Sequence, residues 1–197
     1  MDIDLHNRFN PRDDQISPVR VRGFTRDSLD KLFGELGFTI GAEIGVAEGI
    51  HALNMCKNIP DLQNLLCVDL WDVYYRDKTK LKDKSMQDDA LRLAHEKLDD
   101  YNVEFVRSPS MDAVRFVEDN SLDFVYIDGD HSFDFVMQDL IEWSKKVKSG
   151  GIVSGHDAYR FRGAGVVDSV SVYTHCHKIY EWFVCDEREV SFFWQKP

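Results

Sequence analysis

Five short apolar runs, each leading into a stretch with helical spacing, constrain this chain more than any other feature. They are FTIGAEIG (38–45), LLCVDLW (65–71), VEFVRS (103–108), LDFVYIDG (122–129) and GIVSGHD (151–157). Between them the sequence predicts a helix over 49–58 ended by Pro60 and one opened by Ser85 with Met86, Ala90, Leu93 and Leu98. A short helix over 111–118 follows, then one over 133–147 on which Phe133, Val136, Leu140, Ile141 and Trp143 recur. Ahead of the first strand, Thr25 can cap a helix carrying Leu29, Leu32, Phe33 and Leu36, with Gly37 as its stop. Apolar strands alternating with helices predict a parallel sheet covered on both faces. After a helix over 165–178, EWFVC (181–185) and VSFFWQK (190–196) are joined by four residues and must pair as an antiparallel hairpin. The expected fold class is α/β: a doubly wound, mostly parallel sheet with helices on both faces and an antiparallel C-terminal hairpin.

Composition narrows the function classes. The 197 residues suit about one domain with a substantial core. Residues 1–22 are polar, contain Pro11 and Pro18, and are expected to form an extended arm before a domain over 23–197. With 24 Lys and Arg against 35 Asp and Glu, the net charge of -11 argues against nucleic acid as a partner, because a polyanion needs clustered cations. No apolar run approaches membrane-spanning length, and the N-terminus lacks an apolar signal core. Four cysteines, Cys56, Cys67, Cys176 and Cys185, form no C-x-x-C pair. The expectation is a cytoplasmic protein without a membrane partner, with homo-oligomerisation left open.

Doubly wound sheets bind ligands at the carboxyl ends of their strands, where the suggestive residues lie. GAEIGVAEG (41–49) ends the first strand and opens a helix, but it departs from the G-x-G-x-x-G dinucleotide pattern and carries Glu43 and Glu48. Two carboxylates would repel a pyrophosphate. They suit a cationic ligand such as S-adenosylmethionine (SAM), which bears an ammonium and a sulfonium. Asp69 ends the second strand, where an acid can take both ribose hydroxyls. The third strand ends at Arg107 and Ser108, where an adenine edge could be met.

With these residues the sequence resembles the class I SAM-dependent methyltransferases from about residue 38 onward. It is most similar to a small-molecule O-methyltransferase branch with a DGDH segment (128–131) and a later GHD segment (155–157). The resemblance implies a Rossmann-like seven-stranded sheet whose last strand is antiparallel. It implies that Glu43, Gly45 and Gly49 hold the methionine part of SAM, and that Asp69 holds the ribose with Trp71 beside it. Asp128, Asp130 and His131 would lie near the methyl group. Ala47 stands where many members have glycine, which narrows the loop.

Asp128 and His131 follow the fourth strand, His156 and Asp157 the fifth, so they can converge. Carboxylates with an imidazole make a reasonable divalent metal site, for magnesium, manganese or calcium. Similarity to the metal-dependent O-methyltransferases implies Asp128 and Asp157 as ligands with His156 as a third. Such an ion would lower the pKa of an acceptor hydroxyl. Without a metal, His131 or His156 could act as general base. Alternatively, Asp128 only orients backbone and the histidines line the cleft. His51 is expected merely to cover the cofactor, and loops 72–84 and 157–166 with the arm to build the pocket for a small-molecule acceptor.

Competing classes are a nicotinamide-dependent oxidoreductase, which needs the absent G-x-G-x-x-G loop, and a non-catalytic module binding SAM or a partner. Methylation of nucleic acid lacks its N/D-P-P-Y segment, since DGDH follows the fourth strand; a protein acceptor stays open.

Overall fold

The computed structural model describes residues 4–12, 16–76, 79–160 and 164–197. In chain order the elements are α1 (Leu5–Phe9), β1 (Val19–Val21), α2 (Arg26–Glu35), β2 (Ile40–Ile44), α3 (Ile50–Asn58) and β3 (Asn64–Asp69). A small hairpin of β4 (Tyr74–Arg76) and β5 (Thr79–Lys82) follows, then α4 (Lys84–Leu98) and β6 (Val103–Arg107). Next come α5 (Ser110–Ala113), which runs into a 3-10 turn over Val114–Phe116, then β7 (Leu122–Ile127) and α6 (Phe133–Lys146). The chain closes with β8 (Val147–Gly155), α7 (Val166–Cys176), β9 (Phe183–Cys185) and β10 (Phe192–Gln195).

Eight strands form the main sheet in the order β6-β3-β2-β7-β8-β10-β9-β1. β10 lies antiparallel to β8 and β9, and the other pairings are parallel. The fold class is the one the sequence predicts, with one more strand than the seven implied by the resemblance. The extra strand is β1, from the segment read as an extended arm. It pairs with β9, while Leu5 of α1 is buried in the core. The stretch 72–84, read as a loop, contains the β4–β5 hairpin.

Alternation along the central strands feeds two cores. Phe124 and Tyr126 of β7 face the side covered by α2, α3 and α4, with Leu29, Phe33 and Met55. Val125 and Ile127 face the α6 and α7 side, with Leu140, Trp143 and Val170. Thr25 caps α2 in a reciprocal box with Ser28, and Gly37 stops the segment with φ +68°. Among the described residues no helix is long and apolar enough to cross a membrane.

Register is what builds the site. Ile44 pairs with Val68 on one side and Ile127 on the other, and Ile127 pairs with Gly155. The residues that follow, Gly45, Asp69, Asp128 and His156, therefore emerge side by side at the carboxyl edge. This edge straddles β2, where the chain reverses its direction of winding.

Candidate active site

A cavity of about 700 Å³ opens at that edge, lined among others by Gly45, Ala47, Asp69, Ser108, Asp128 and His131. Gly45 has φ +93°, and a Cβ there would fall 2.1 Å from the Asp128 carbonyl oxygen. Only glycine lets β2 turn so closely over the end of β7. Its N–H donates to the Val68 carbonyl at 2.8 Å. Ala47 follows in the left-handed region, φ +49°. Its N–H donates to Asp69 Oδ2 at 2.9 Å, and its carbonyl accepts from Trp71 Nε1 at 2.8 Å. The loop is thus bolted to the end of β3.

Asp69 lines the cavity, with its second oxygen accepting from the Trp71 N–H at 3.0 Å. Trp71 is fully buried with φ +39°, packed on Phe105. It clamps the loop and does not face the cavity, contrary to its expected place beside a ribose. Gly49 also departs from expectation. A Cβ there would meet Leu98 Cδ1 at 3.0 Å and Ala94 Cα at 3.1 Å, so its missing side chain makes room for α4 and not for a ligand. Ser108 stands in the lining as expected, its N–H donating to the Asp69 carbonyl at 3.0 Å.

Glu43, expected to touch the cofactor, is sealed off behind the loop at 1% exposure. It bonds to His51 Nδ1 at 2.9 Å, and His51 Nε2 bonds to Asp30 Oδ1 at 3.1 Å. Burial works against the imidazolium, yet the two carboxylates win and push the His51 pKa up to about 9. Burial also raises the Glu43 pKa, against the pull of His51. His51, read as a cover for the cofactor, is instead the pin joining α2, β2 and α3.

Two members of the second acidic cluster, Asp128 and His131, line the cavity, and the third, Asp157, is buried beside them. His131 Nε2 lies 3.1 Å from Asp157 Oδ2 and 3.5 Å from Asp128 Oδ1. Ligand atoms of Asp128, His131 and Asp157 all fall within 4.8 Å of one another. His131 therefore takes the converging position that the sequence assigned to His156. The His156 Nδ1 flanks the group at 3.5 Å from Asp157 and 3.8 Å from Asp128. The hydrogen bond to Asp128 raises the His131 pKa, with burial opposing it. Burial disfavours the Asp157 carboxylate, but His156, His131 and Arg26 hold its pKa below the ordinary range. Asp157 has φ +57°, joining Ala47 and Trp71 as left-handed residues at three strand ends. Strained backbone gathers where side chains must be aimed. Asp130, implied to lie near the methyl group, lines the cavity but turns Oδ1 back to the Ser132 N–H at 2.7 Å.

Two contributors escaped the sequence reading. Arg26, at the start of α2, interacts with the Tyr126 hydroxyl and faces Asp128 and Asp157. Nothing local marks it, since α2 and these acids meet only through folding. Asp139 lines the cavity from α6 while 5% exposed. A signal existed: it occupies the apolar stripe of Val136, Leu140 and Trp143, where a charge is out of place. Part of the loop expected to shape an acceptor pocket, 77–78 and 161–163, lies outside the described residues.

A family profile described as a methyltransferase domain matches residues 42–158. That is more than half of the chain, so the chain belongs to this methyltransferase family. It is a class I SAM-dependent methyltransferase. No curated protein compared with it matches. Among solved structures, the O-methyltransferase TomG from Streptomyces achromogenes in complex with SAM is similar with a TM-score of 0.64 at 12% identity, covering 98% of this chain and 86% of that one. Cofactor-bound Rv0187 from MTB gives 0.63 at 13% identity, covering 92% and 84%. The O-methyltransferase NovP gives 0.62 at 19% identity, covering 87% and 77%. At these identities the likeness is one of fold.

Proposed function

We propose that this methyltransferase acts on a small molecule at a hydroxyl oxygen, in the cavity at the carboxyl edge. The observation that carries this reading is the convergence of Asp128, His131 and Asp157, the first two of which line the cavity together with Gly45. The cavity fits SAM in size and in the chemistry of its walls: the Gly45 turn and two acids at strand ends. When bound, SAM supplies an electrophilic methyl group on a sulfonium.

The protein's own residues do the rest. Asp69 has acceptor capacity left for ribose hydroxyls, because each oxygen takes one backbone N–H and can accept again. Asp128 receives the hydrogen bond of the acceptor hydroxyl. A neutral His131 takes the proton, and the resulting imidazolium is held by the Asp128 and Asp157 carboxylates.

A second reading is favoured by the same convergence. Asp128, His131 and Asp157 are a donor set suited to a divalent ion. Such an ion would lower the pKa of the acceptor hydroxyl. Against it, the Arg26 guanidinium already brings positive charge to these carboxylates. We favour the base reading for that reason.

Labelled SAM and a panel of hydroxyl-bearing small molecules, with and without chelator, test the assignment. Asp128→Ala is expected to lower turnover about 100-fold or more while SAM still binds. Transfer that survives chelator supports His131 as base; transfer lost to chelator and restored by manganese supports the ion. An Asp128→Ala variant with undiminished turnover would overturn both.

A further inference from the structure

The cavity at the carboxyl edge is walled by acids. Asp69, Asp72, Asp128, Asp130 and Asp139 line it, and among the described residues no lysine or arginine does. His131 is the one basic side chain of that lining, and its Nε2 sits 3.5 Å from Asp128 and 3.1 Å from Asp157. The cations nearby answer groups of the protein itself. Lys84 Nζ lies 3.4 Å from Asp72 and 3.2 Å from Asp88. Arg107 donates to Asp88 at 3.1 Å and to the Trp71 carbonyl. Arg26 bonds to the Tyr126 hydroxyl and faces Asp128 and Asp157. A second observation points the same way. Asp139 is only 5% exposed, and the Ser110 hydroxyl donates to its Oδ1. Its Oδ2 has no hydrogen-bond partner among the described residues. Burial pushes the Asp139 pKa up to about 6, so the acid is mostly ionised near neutral pH. A nearly buried carboxylate with one oxygen untied, in the wall of a cavity, lacks a donor.

We propose that the acceptor is a hydroxyl compound carrying a protonated amine, and that the wall turns away acceptors bearing carboxylate or phosphate. The inference rests on the reading of this cavity as the site of methyl transfer to a hydroxyl. A cleft lined by one sign of charge concentrates the opposite sign and repels its own. An anion entering it would lose water and find no ammonium or guanidinium in the lining to replace that water. SAM does not reverse the sign. Its ammonium is offset by its own carboxylate, which leaves the sulfonium as the net charge against five acids. An amine on the acceptor suits the wall, because an ammonium is a compact charge with donors pointing several ways.

Labelled SAM and the purified full chain test this near neutral pH on matched acceptors. One set is tyramine, ethylphenol and hydroxyphenylacetate; the other is glucosamine, glucose and glucuronate. Within each set the ring is kept and the charge changes. The amine is expected to exceed the acid in kcat/KM by about tenfold or more, with the neutral compound between them. Added salt should narrow the gap, because it screens the field. Asp72→Lys reverses a half-exposed charge in the wall and should cut the amine-to-acid ratio by about fivefold, the scale of one surface charge pair. If that variant does not fold, the salt dependence decides. Equal or better use of the acids overturns the proposal. So does a panel in which neither amine is methylated, or a preference that ignores both salt and Asp72→Lys. Calorimetry with SAM alone comes first: wild type that does not bind it would sink the cofactor assignment, a different result from bound SAM with the acids preferred.

Discussion

Two clusters share one composition, a histidine between two carboxylates. The sealed one, Asp30–His51–Glu43, joins α2 to β2 and α3, and the His51 ring packs on Tyr126 with centroids 4.2 Å apart. The open one, Asp128–His131–Asp157, reaches the cavity through Asp128 and His131, with side-chain exposures of 22%, 34% and 10% in that order. In the sealed cluster Asp30 Oδ2 and Glu43 Oε2 are buried without a hydrogen-bond partner. Its imidazole is committed to neighbours at both nitrogens, so no ligand can use it. In the open cluster His131 Nε2 meets the two carboxylates at 3.1 and 3.5 Å, and its side chain is about one third exposed. The same residue types are sealed into the architecture in one place and open to a cavity in the other.

The comparison breaks most readily at the sealed histidine. His51→Ala leaves two buried carboxylates without their cation, and the expected loss is about 3–5 kcal/mol by denaturant titration. A loss below about 1 kcal/mol would show that the cluster is no structural pin.

A smaller effect separates the clusters by pH. The folded pKa of His51 is raised to about 9 from an ordinary 6.5, so its stabilisation is complete below pH 6.5 and fades as pH rises through 9. Burial raises the Glu43 pKa too, which adds loss in the same direction as pH rises. Wild type should lose about 3 kcal/mol between pH 6.5 and 9 relative to His51→Leu measured over the same range. Parallel stability curves for the two proteins would contradict a charged His51.

The smallest effect is expected at the open histidine. His131→Ala should change stability by less than about 1 kcal/mol, because this ion-paired ring is only half-buried, while turnover falls. A large stability loss there would mean that the two clusters share a structural role.

Much of this was legible in the chain. Strand and helix alternation, the Thr25 cap and the Gly37 stop act within a few residues, and local spacing reports them. The Gly45 turn, Asp69, Ser108 and Asp128 were placed because strand ends in a parallel sheet share one edge. The edge strand β1 was missed, because three residues in a polar segment carry no period of their own.

The sequence by itself determined the sheet, the edge at which the cavity opens and two of the acids that line it, Asp69 and Asp128. Tertiary structure decided which groups reach the cavity. Glu43 and Asp128 both stand at or beside the end of a central strand, and nothing in their local sequence says that one will be sealed beneath α2 while the other faces open space. Gly49 and Gly45 share one loop, yet one makes room for α4 and the other for the end of β7. Asp139 lines the cavity because α6 packs its apolar stripe onto the sheet beside Ser110 and Trp143. Burial and partner choice arise from contacts between segments tens of residues apart, and a carboxylate's environment, not its identity, sets whether it pins, binds or reacts.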